Sequence, residues 1–334
     1  MQTRKIGPLQ VSAIGLGCMN LSYAYGVPPT AEHAERLLLS AVDAGVTLFD
    51  TAALYGFGSN ECLLGKVLKP YRQKLVLATK GGMAGVDSAG DGKLVRVING
   101  RPAAIRKNCE DSLRRLQTDV IDLYYLHRWD KNVPIEDSVG EMSRLVERGL
   151  VRALGLSEVG ASTVRKAHAV HPIAAVQTEY SLWTRNPEIA VLQTCQELGI
   201  AFVAFSPVAR AFLTGKLQDV SALLPNDLRL TMPRFEPDNY AANLKLLPPY
   251  QQLARESGCT PAQLALAWLL HKDGHIIPIP GTTSLEHLAE DMAAADVTLD
   301  PSIMVKLEAC INQGNVVGSR YNAQSQNDVD TECF

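Results

Sequence analysis

Eight short runs of nearly continuous apolar residues constrain the fold of this chain more than any other feature. Each run is followed by a stretch with helical periodicity, as expected when strands are buried on both faces of a parallel sheet. The runs are 14–17, 46–50, 75–80, 121–127, 153–157, 174–177, 201–205 and 275–280. Eight strand–helix units predict an α/β fold, a (β/α)8 TIM barrel whose sheet closes on itself.

The stretches between the runs carry signals for the start and end of helices. Thr30 is a good N-cap for one of them, and Gly45 suits its C-terminal end. Other stretches share the periodicity, and several have a proline near the start. The predicted helices are 30–44, 101–116, 135–148, 162–169, 187–198 and 261–271.

The segments outside the repeat also have predicted places. Residues 1–11 predict a short N-terminal β-hairpin at the bottom of the barrel, and the proline-rich residues 208–240 predict an inserted loop over its mouth. No linker divides the chain, so we predict one catalytic barrel domain over 1–317. The polar C-terminal tail, 318–334, is expected either to be disordered or to cover the mouth.

The main alternative fold is a doubly wound dinucleotide-binding sheet. Its fingerprint is G-x-G-x-x-G directly after the first strand. Here Gly15 and Gly17 are followed by Asn20 where the third glycine would stand. The barrel is therefore favoured.

Composition and charge exclude several classes of partner. Of the 334 residues, 46% are apolar, which is enough for a sizeable core, and the net charge is -3 without a basic run. A nucleic-acid partner would require a basic surface, so none is expected. No apolar stretch approaches the roughly 20 residues that span a bilayer, and no signal region is evident, so we expect no membrane partner and a cytoplasmic location.

The cysteines indicate neither a metal site nor disulfides. The seven are scattered without a C-x-x-C pair, which fits a reducing compartment. We interpret each as a small buried apolar side chain, and we expect no metal. The oligomeric state is left open, with a homo-oligomer as one alternative.

Polar side chains stand at the ends of most predicted strands, where a barrel places its active site. A lysine or histidine at one strand end is usually a solvated loop residue, but seven such positions together predict one shared site. They are Asp50, Lys80, His127, Ser157, Gln177 and Ser206, with Tyr55 in the loop after the second strand.

Tyrosine, lysine, aspartate and histidine together can protonate a carbonyl oxygen. A phenol has a pKa of about 10, and a nearby ammonium is expected to lower it. A carboxylate can fix the lysine, and a neutral imidazole can orient the carbonyl. No activated serine or cysteine competes, so these residues favour carbonyl reduction with a hydride from a cofactor.

At these residues the sequence resembles the aldo-keto reductase family, from about Arg4 to Val317. The segment DTAALYG at 50–56, the strand ending in Lys80 and the run ending in His127 match the family's catalytic tetrad in order. The segments at 155–159 and 206–216 also agree. The segments GLGCMN, VQTEYSLW and IPIPGTT are similar to microbial reductases of aldehydes, pyridoxal-type carbonyls and bulkier ketones.

The resemblance implies an NAD(P)H-dependent oxidoreductase that reduces aldehydes or ketones to alcohols. Tyr55 would donate the proton, Asp50 and Lys80 would tune it, and His127 would orient the carbonyl. The implied cofactor residues are Ser157 and Gln177 at the carboxamide, Phe205 on the nicotinamide ring, Ser206 and Arg210 at the pyrophosphate, and Thr282, Ser284, His287 and Asp291 at the adenosine phosphate and adenine. Candidate substrate contacts are Met19, Tyr23 and Trp129, with Asn20, Tyr25, Phe235 and Tyr240 as further candidates.

Three positions depart from the family's pattern. Glu158 replaces the more usual asparagine, so it is expected to accept a hydrogen bond from the carboxamide. Gly281 and His287 stand where many members carry lysine and arginine, which weakens the expected clamp on a 2′-phosphate. The hydroxyls at 282–284 still favour NADPH, with NADH as the alternative.

Two other functions remain as alternatives. A redox-sensing subunit would bind the nucleotide and turn over slowly, although the complete tetrad argues against a loss of chemistry. A cofactor-free isomerase or lyase on the same barrel would need metal ligands, and the strand ends offer no convincing His/Asp/Glu cluster.

Overall fold

A parallel eight-stranded sheet organises the computed structural model, which describes residues 2–87 and 89–334. Its strands are β1 Leu16–Gly17, β2 Leu48–Asp50, β3 Val76–Gly81, β4 Ile121–Leu126, β5 Val151–Ser157, β6 Ile173–Glu179, β7 Ala201–Phe205 and β8 Ile276–Ile279. The amides of Gly15 and Gly17 bond to the carbonyls of Pro278 and Pro280, at 3.0 and 2.9 Å, and so join the first strand to the last. The predicted (β/α)8 barrel is confirmed.

Two antiparallel hairpins accompany the barrel. The first pairs Thr3–Ile6 with Leu9–Ser12, which confirms the predicted N-terminal hairpin. Its side chains Ile6, Leu9 and Val11 are buried in the apolar cluster inside the barrel. The second hairpin, Met83–Val86 with Val95–Ile98, follows β3 and was not predicted. Its strands are largely solvent-accessible, so they lack the continuous apolar run of the barrel strands.

The helices pack around the sheet. They are α1 Ala31–Asp43, α2 Ser59–Leu68, α3 Pro102–Leu116, α4 Ile135–Glu147, α5 Ala161–Val170, α6 Val191–Leu198, α7 Pro237–Leu244, α8 Leu247–Glu256, α9 Pro261–Lys272, α10 Leu285–Ala293, α11 Pro301–Cys310 and α12 Ala323–Asn327. All six predicted helices are present, although α6 begins four residues late, after a 3-10 turn. The helices that were not predicted have ten residues or fewer, too few turns for a clear period.

Alternation along each strand separates two cores. On β4, Leu123 and Tyr125 belong to the cluster inside the barrel, while Tyr124 and Leu126 pack outward against the helices. Both faces are therefore apolar, and polar side chains are left at the carboxyl ends of the strands. Residues 208–240 form short 3-10 turns and the start of α7, and many of them border the mouth.

The C-terminal segment 318–334 is folded against the barrel. Asp330 pairs with Val159 in an isolated bridge, and its carboxylate accepts bonds from the Gly160 amide (3.2 Å) and the Thr163 hydroxyl (2.7 Å). Glu332 accepts a bond from the Ala161 amide at 2.7 Å. Gly160 provides no side-chain cap of its own, so two carboxylates from the tail cap the first turn of α5.

The cysteines and the helices bear on the remaining expectations. All seven cysteines are free thiols, but Cys62 and Cys333 are exposed, so the interpretation of every cysteine as buried was wrong. Cys62 is an exposed position of α2, and Cys333 lies in the polar C-terminal tail.

Among the described residues, none of the helices has both the length and the apolar character that a membrane span requires.

Candidate active site

A cavity of about 460 Å³ opens at the carboxyl ends of the strands. Most of the side chains predicted from the sequence as site residues line it. They are Met19, Tyr23, Asp50, Tyr55, His127, Ser157, Gln177, Phe205, Ser206, Arg210, Thr282, His287 and Asp291. Strand ends far apart in the sequence therefore meet around one space.

The ammonium of Lys80 lies at the centre of the tetrad. It forms an ion pair with Asp50 and donates hydrogen bonds to the Thr51 carbonyl at 2.9 Å and the Tyr55 hydroxyl at 3.3 Å. The rings of Tyr55 and His127 meet edge to face, with centroids 5.9 Å apart. Lys80 is 1% exposed, so the ammonium contacts the cavity through the phenol.

Strand register places the charged pair. Asp50 on β2 is level with Ala78 on β3, so Lys80 lies one inward-facing position further along. The amide of Gln177 on β6 donates to the second oxygen of Asp50 at 2.7 Å. The carboxylate is therefore held from two sides of the barrel and keeps the lysine in a single position.

Burial, rather than the lysine, dominates the acidity of the phenol. Burial raises the pKa of Tyr55 above its ordinary value, and the charge of Lys80 opposes this without overcoming it. The expected lowering of this pKa was therefore wrong in direction. Burial lowers the pKa of Lys80, but the attraction of Asp50 and Tyr55 outweighs it, so the net shift is upward. At neutral pH the phenol carries its proton and the lysine its charge.

His127 is a neutral imidazole at neutral pH. Burial depresses its pKa well below the ordinary range, and the positive charges of Arg128, Lys80 and Arg96 depress it further. Its Nδ1 is buried and has no hydrogen-bond partner in the described part of the chain. A neutral imidazole that borders the cavity can orient a polar group without adding a charge.

A strained loop follows β7. Ser206, Ala209, Arg210 and Ala211 all have positive φ, at 49, 52, 55 and 78°. Each such non-glycine residue costs about 1–3 kcal/mol, so a cluster of them points to a functional constraint. Successive amides in such turns can form a concave anion site. The loop therefore fits a pyrophosphate.

The guanidinium of Arg210 is already engaged. It pairs with the buried Glu179 at 2.6 Å and donates to the hydroxyls of Tyr25 at 2.9 Å and Tyr321 at 3.4 Å. Arg210 lines the cavity as predicted, but its charge is balanced by Glu179. The backbone of the loop is thus freer to bind an anion than this side chain.

The far end of the cavity contains the predicted adenosine residues and one cation that was not predicted. The Lys216 ammonium lies 2.9 Å from the Nε2 of His287. Lys216 therefore supplies a positive charge near the place where many family members carry a lysine and this chain has Gly281. Ser284 caps α10 by accepting the His287 amide and does not line the cavity. Burial raises the pKa of Asp291 to about 7, with a further rise from Glu290.

Glu158 does not face the cavity, contrary to expectation. Its two carboxylate oxygens bind the guanidinium of Arg320 from the tail, one of them at 3.0 Å, and the same oxygen accepts the Glu179 amide. Glu158 is 1% exposed and adopts φ 58°. The hydrogen bond expected from a carboxamide is replaced by an internal ion pair.

The candidate substrate contacts divide into two groups. Met19, Tyr23, Asn20 and Tyr25 line the cavity. Trp129 does not line it, because its indole donates to the Val133 carbonyl at 2.9 Å and the ring packs on the outer core. Phe235 and Tyr240 are also removed from the cavity, since both are buried in an aromatic cluster with Trp183 and Phe212.

Several lining residues were missed by the sequence analysis. They are Arg96, Arg128, Lys216, Tyr321 and Asp328. Arg128 directly follows His127, so its position at a strand end was a usable signal. Arg96 lies on the unpredicted hairpin, and Asp328 comes from the tail, so local sequence placed neither. Within residues 2–87 and 89–334, no group of three or more His, Cys, Asp or Glu could hold a metal ion.

Comparisons with known proteins agree with this geometry. The model of the aldo/keto reductase family matches residues 13–312, and the chain belongs to that family. Among solved structures it is similar to the glycerol dehydrogenase AKR11B4 from Gluconobacter oxydans, with 27% identity, a TM-score of 0.85, and coverage of 96% of this chain and 98% of that one.

Two other solved structures are similar over nearly their whole length. The aldo-keto reductase AKR11C1 from Bacillus halodurans, in its holo form, shares 28% identity with a TM-score of 0.77, over 97% of this chain and 99% of that one. The thermostable aldo-keto reductase Tm1743, in complex with the inhibitor epalrestat, shares 26% identity with a TM-score of 0.73, over 93% and 100%. Oxidoreduction of small carbonyl compounds is the general activity of the family.

Proposed function

We propose that this protein reduces aldehydes or ketones to alcohols with NADPH, and that Tyr55 is the proton donor. One observation carries the proposal. The Tyr55 hydroxyl, which borders the cavity, lies 3.3 Å from an ammonium that is locked in place by a buried carboxylate. A protonated phenol beside a fixed positive charge suits an acid that must give up its proton to a carbonyl oxygen.

The residues of the tetrad act in sequence on that oxygen. Tyr55 and the neutral His127 hold the carbonyl oxygen, and Tyr55 transfers its proton as negative charge develops there. Lys80 stabilises the phenolate that remains, and Asp50 keeps Lys80 charged. When bound, a reduced nicotinamide supplies the hydride to the carbonyl carbon.

The described residues fit a nicotinamide dinucleotide along the cavity. Ser157 and Gln177 would hold the carboxamide, and Phe205 would stack on the ring. The strained loop 206–211 would bind the pyrophosphate through its amides. Thr282, His287 and Asp291 would hold the adenosine end, with Lys216 on the 2′-phosphate. Support for an alcohol–carbonyl couple also comes from the glycerol dehydrogenase among the similar structures.

Lys216→Met is expected to raise the KM for NADPH about 10-fold and to change the KM for NADH less than about 2-fold. A charge-assisted hydrogen bond to a phosphate contributes on the order of 1.5–3 kcal/mol, and NADH lacks that phosphate. Initial rates with both cofactors measure the effect. Lys166→Met, on the exposed face of α5, is the matched control. An equal loss with both cofactors would contradict the assignment to the 2′-phosphate.

Oxidation of NADPH by the purified protein across a panel of aldehydes, diketones, pyridoxal and bulky ketones tests the proposed function. Turnover of at least one class above the rate without enzyme is expected, with a preference for NADPH over NADH. A clear preference for NADH would overturn the choice of cofactor. Tight cofactor binding without turnover of any carbonyl would instead favour a redox-sensing subunit.

A further inference from the structure

The arginines that line the cavity differ in one respect. In the described part of the chain four arginines border it, and three of them pair with a carboxylate of the protein. These pairs are Arg96 with Asp328, Arg210 with Glu179 at 2.6 Å, and Arg229 with Asp227 at 2.8 Å. Arg128 is the exception, because no carboxylate oxygen of the described residues lies within 4.0 Å of its guanidinium.

The hydrogen bonds of Arg128 hold the guanidinium but leave one edge available. A single nitrogen, Nη1, donates both to the carbonyl of His127 at 2.7 Å and to the hydroxyl of Ser157 at 3.2 Å. Among the described residues, Nε and Nη2 have no acceptor. Together they form the fork that binds a carboxylate or phosphate through two parallel bonds.

The charge of Arg128 is not balanced at the catalytic end of the cavity. Lys80 and Asp50 neutralise each other, and His127 is neutral because burial and nearby cations depress its pKa. Arg128 is half-buried. A half-buried cation in a cavity attracts an anionic ligand group more strongly than an exposed cation does, because the effective dielectric constant around the pair is lower.

We propose that Arg128 binds an anionic group of the substrate, so that the preferred substrates are aldehydes or ketones that carry a carboxylate or phosphate. The inference rests on the proposed function and narrows it. Arg128 directly follows His127, so an anion held on its free edge would lie a few bonds from a carbonyl held by Tyr55 and His127. Carboxylates and phosphates share the required oxygens, and the test separates them.

Matched pairs of carbonyl compounds test the proposal. They are succinic semialdehyde with butanal, 4-carboxybenzaldehyde with 4-methylbenzaldehyde, and glyceraldehyde 3-phosphate with glyceraldehyde. In the wild-type protein the anionic member of each pair should have a kcat/KM at least about 10-fold higher than the neutral member. The free energy of a hydrogen bond to a charged group corresponds to a factor of about that size. The first two pairs report on a carboxylate and the third on a phosphate. Equal values within all three pairs would overturn the inference.

Variants at Arg128 distinguish two roles of this residue. It either binds the substrate directly or only positions the Ser157 hydroxyl. Arg128→Met should lower kcat/KM about 10- to 100-fold for the anionic members and less than about 3-fold for the neutral members. An equal loss for both members, together with weaker NADPH binding, would show that Arg128 only positions Ser157. If Arg128→Met fails to fold, Arg128→Lys replaces it in the test, because it keeps the positive charge and removes the guanidinium edge. Arg36→Met, on the exposed face of α1, is the control.

A binding measurement makes the inference independent of turnover. In the presence of NADP+, 4-(hydroxymethyl)benzoate should bind the wild-type protein more tightly than 4-methylbenzyl alcohol in calorimetry, and Arg128→Met should abolish the difference. Equal affinities of the wild-type protein for the two alcohols would contradict the inference. If this difference is found without turnover of any carbonyl, the proposed reduction fails and the anion site stands. If neutral carbonyls turn over without preference for anions, only the anion site fails.

Discussion

Tyr55→Phe should lower kcat by about 10²- to 10⁴-fold, the usual contribution of a general acid, and leave the dissociation constant for NADPH within about 2-fold. The variant removes one oxygen and keeps the ring that meets His127 edge to face. Loss of the hydroxyl leaves Lys80 and Asp50 in place but removes the phenolic proton that the carbonyl oxygen would receive. Single-turnover rates and cofactor binding by fluorescence measure the two effects separately.

Tyr71→Phe is the matched control for that experiment. Tyr71 precedes β3 at the opposite end of the barrel and packs against the outer core. It should retain wild-type turnover. Tyr55→Phe with more than about a third of the wild-type kcat would rule out this phenol as the proton donor and would leave only a role in packing.

Arg320→Met should lower the free energy of unfolding by about 3–5 kcal/mol, the usual effect of removing one partner of a buried ion pair. Arg320 is 8% exposed and Glu158 1% exposed, so the variant leaves the carboxylate of Glu158 buried with the Glu179 amide as its only donor among the described residues. If the tail detaches instead, the loss is smaller, and residues 318–334 become sensitive to protease. Urea unfolding and limited proteolysis report on the two outcomes.

Two further variants complete the test of this ion pair. Glu158→Gln combined with Arg320→Met should be more stable than Arg320→Met alone, because the unpaired charge is gone, and the coupling between the sites should exceed about 2 kcal/mol. Arg165→Met breaks an exposed pair with Glu197 and should cost less than about 1 kcal/mol. A coupling below about 0.5 kcal/mol would mean that the buried pair contributes little to stability.

Much of the barrel was predictable because burial on both faces leaves a simple record in the sequence. Runs such as 121–127 and 201–205 are nearly continuous in apolar residues, and β4 and β7 occupy nearly the same residues. Once the strands close, the polar residue at the end of each run is directed to the mouth. Asp50, Lys80 and His127 were predicted as site residues in this way, and Tyr55 was predicted because it follows such an end.

What was missed depends on contacts between distant segments. Glu158 and Arg320 are 162 positions apart, so nothing near Glu158 indicates that its carboxylate turns away from the cavity. Trp129 follows His127, but the chain turns and directs the indole to Val133. The pKa of Tyr55 was misjudged because the composition of a site shows its charges but not how deeply they are buried.

The carboxylates that cap α5 are synthesised long after the helix itself. Asp330 is synthesised 170 positions after Gly160, and Glu332 is synthesised 171 positions after Ala161. The first turn of that helix therefore lacks these two caps until both carboxylates have been synthesised. A product truncated before Asp330 would retain every strand of the barrel and lack both caps, so we expect the first turn of α5 to fray more readily in it.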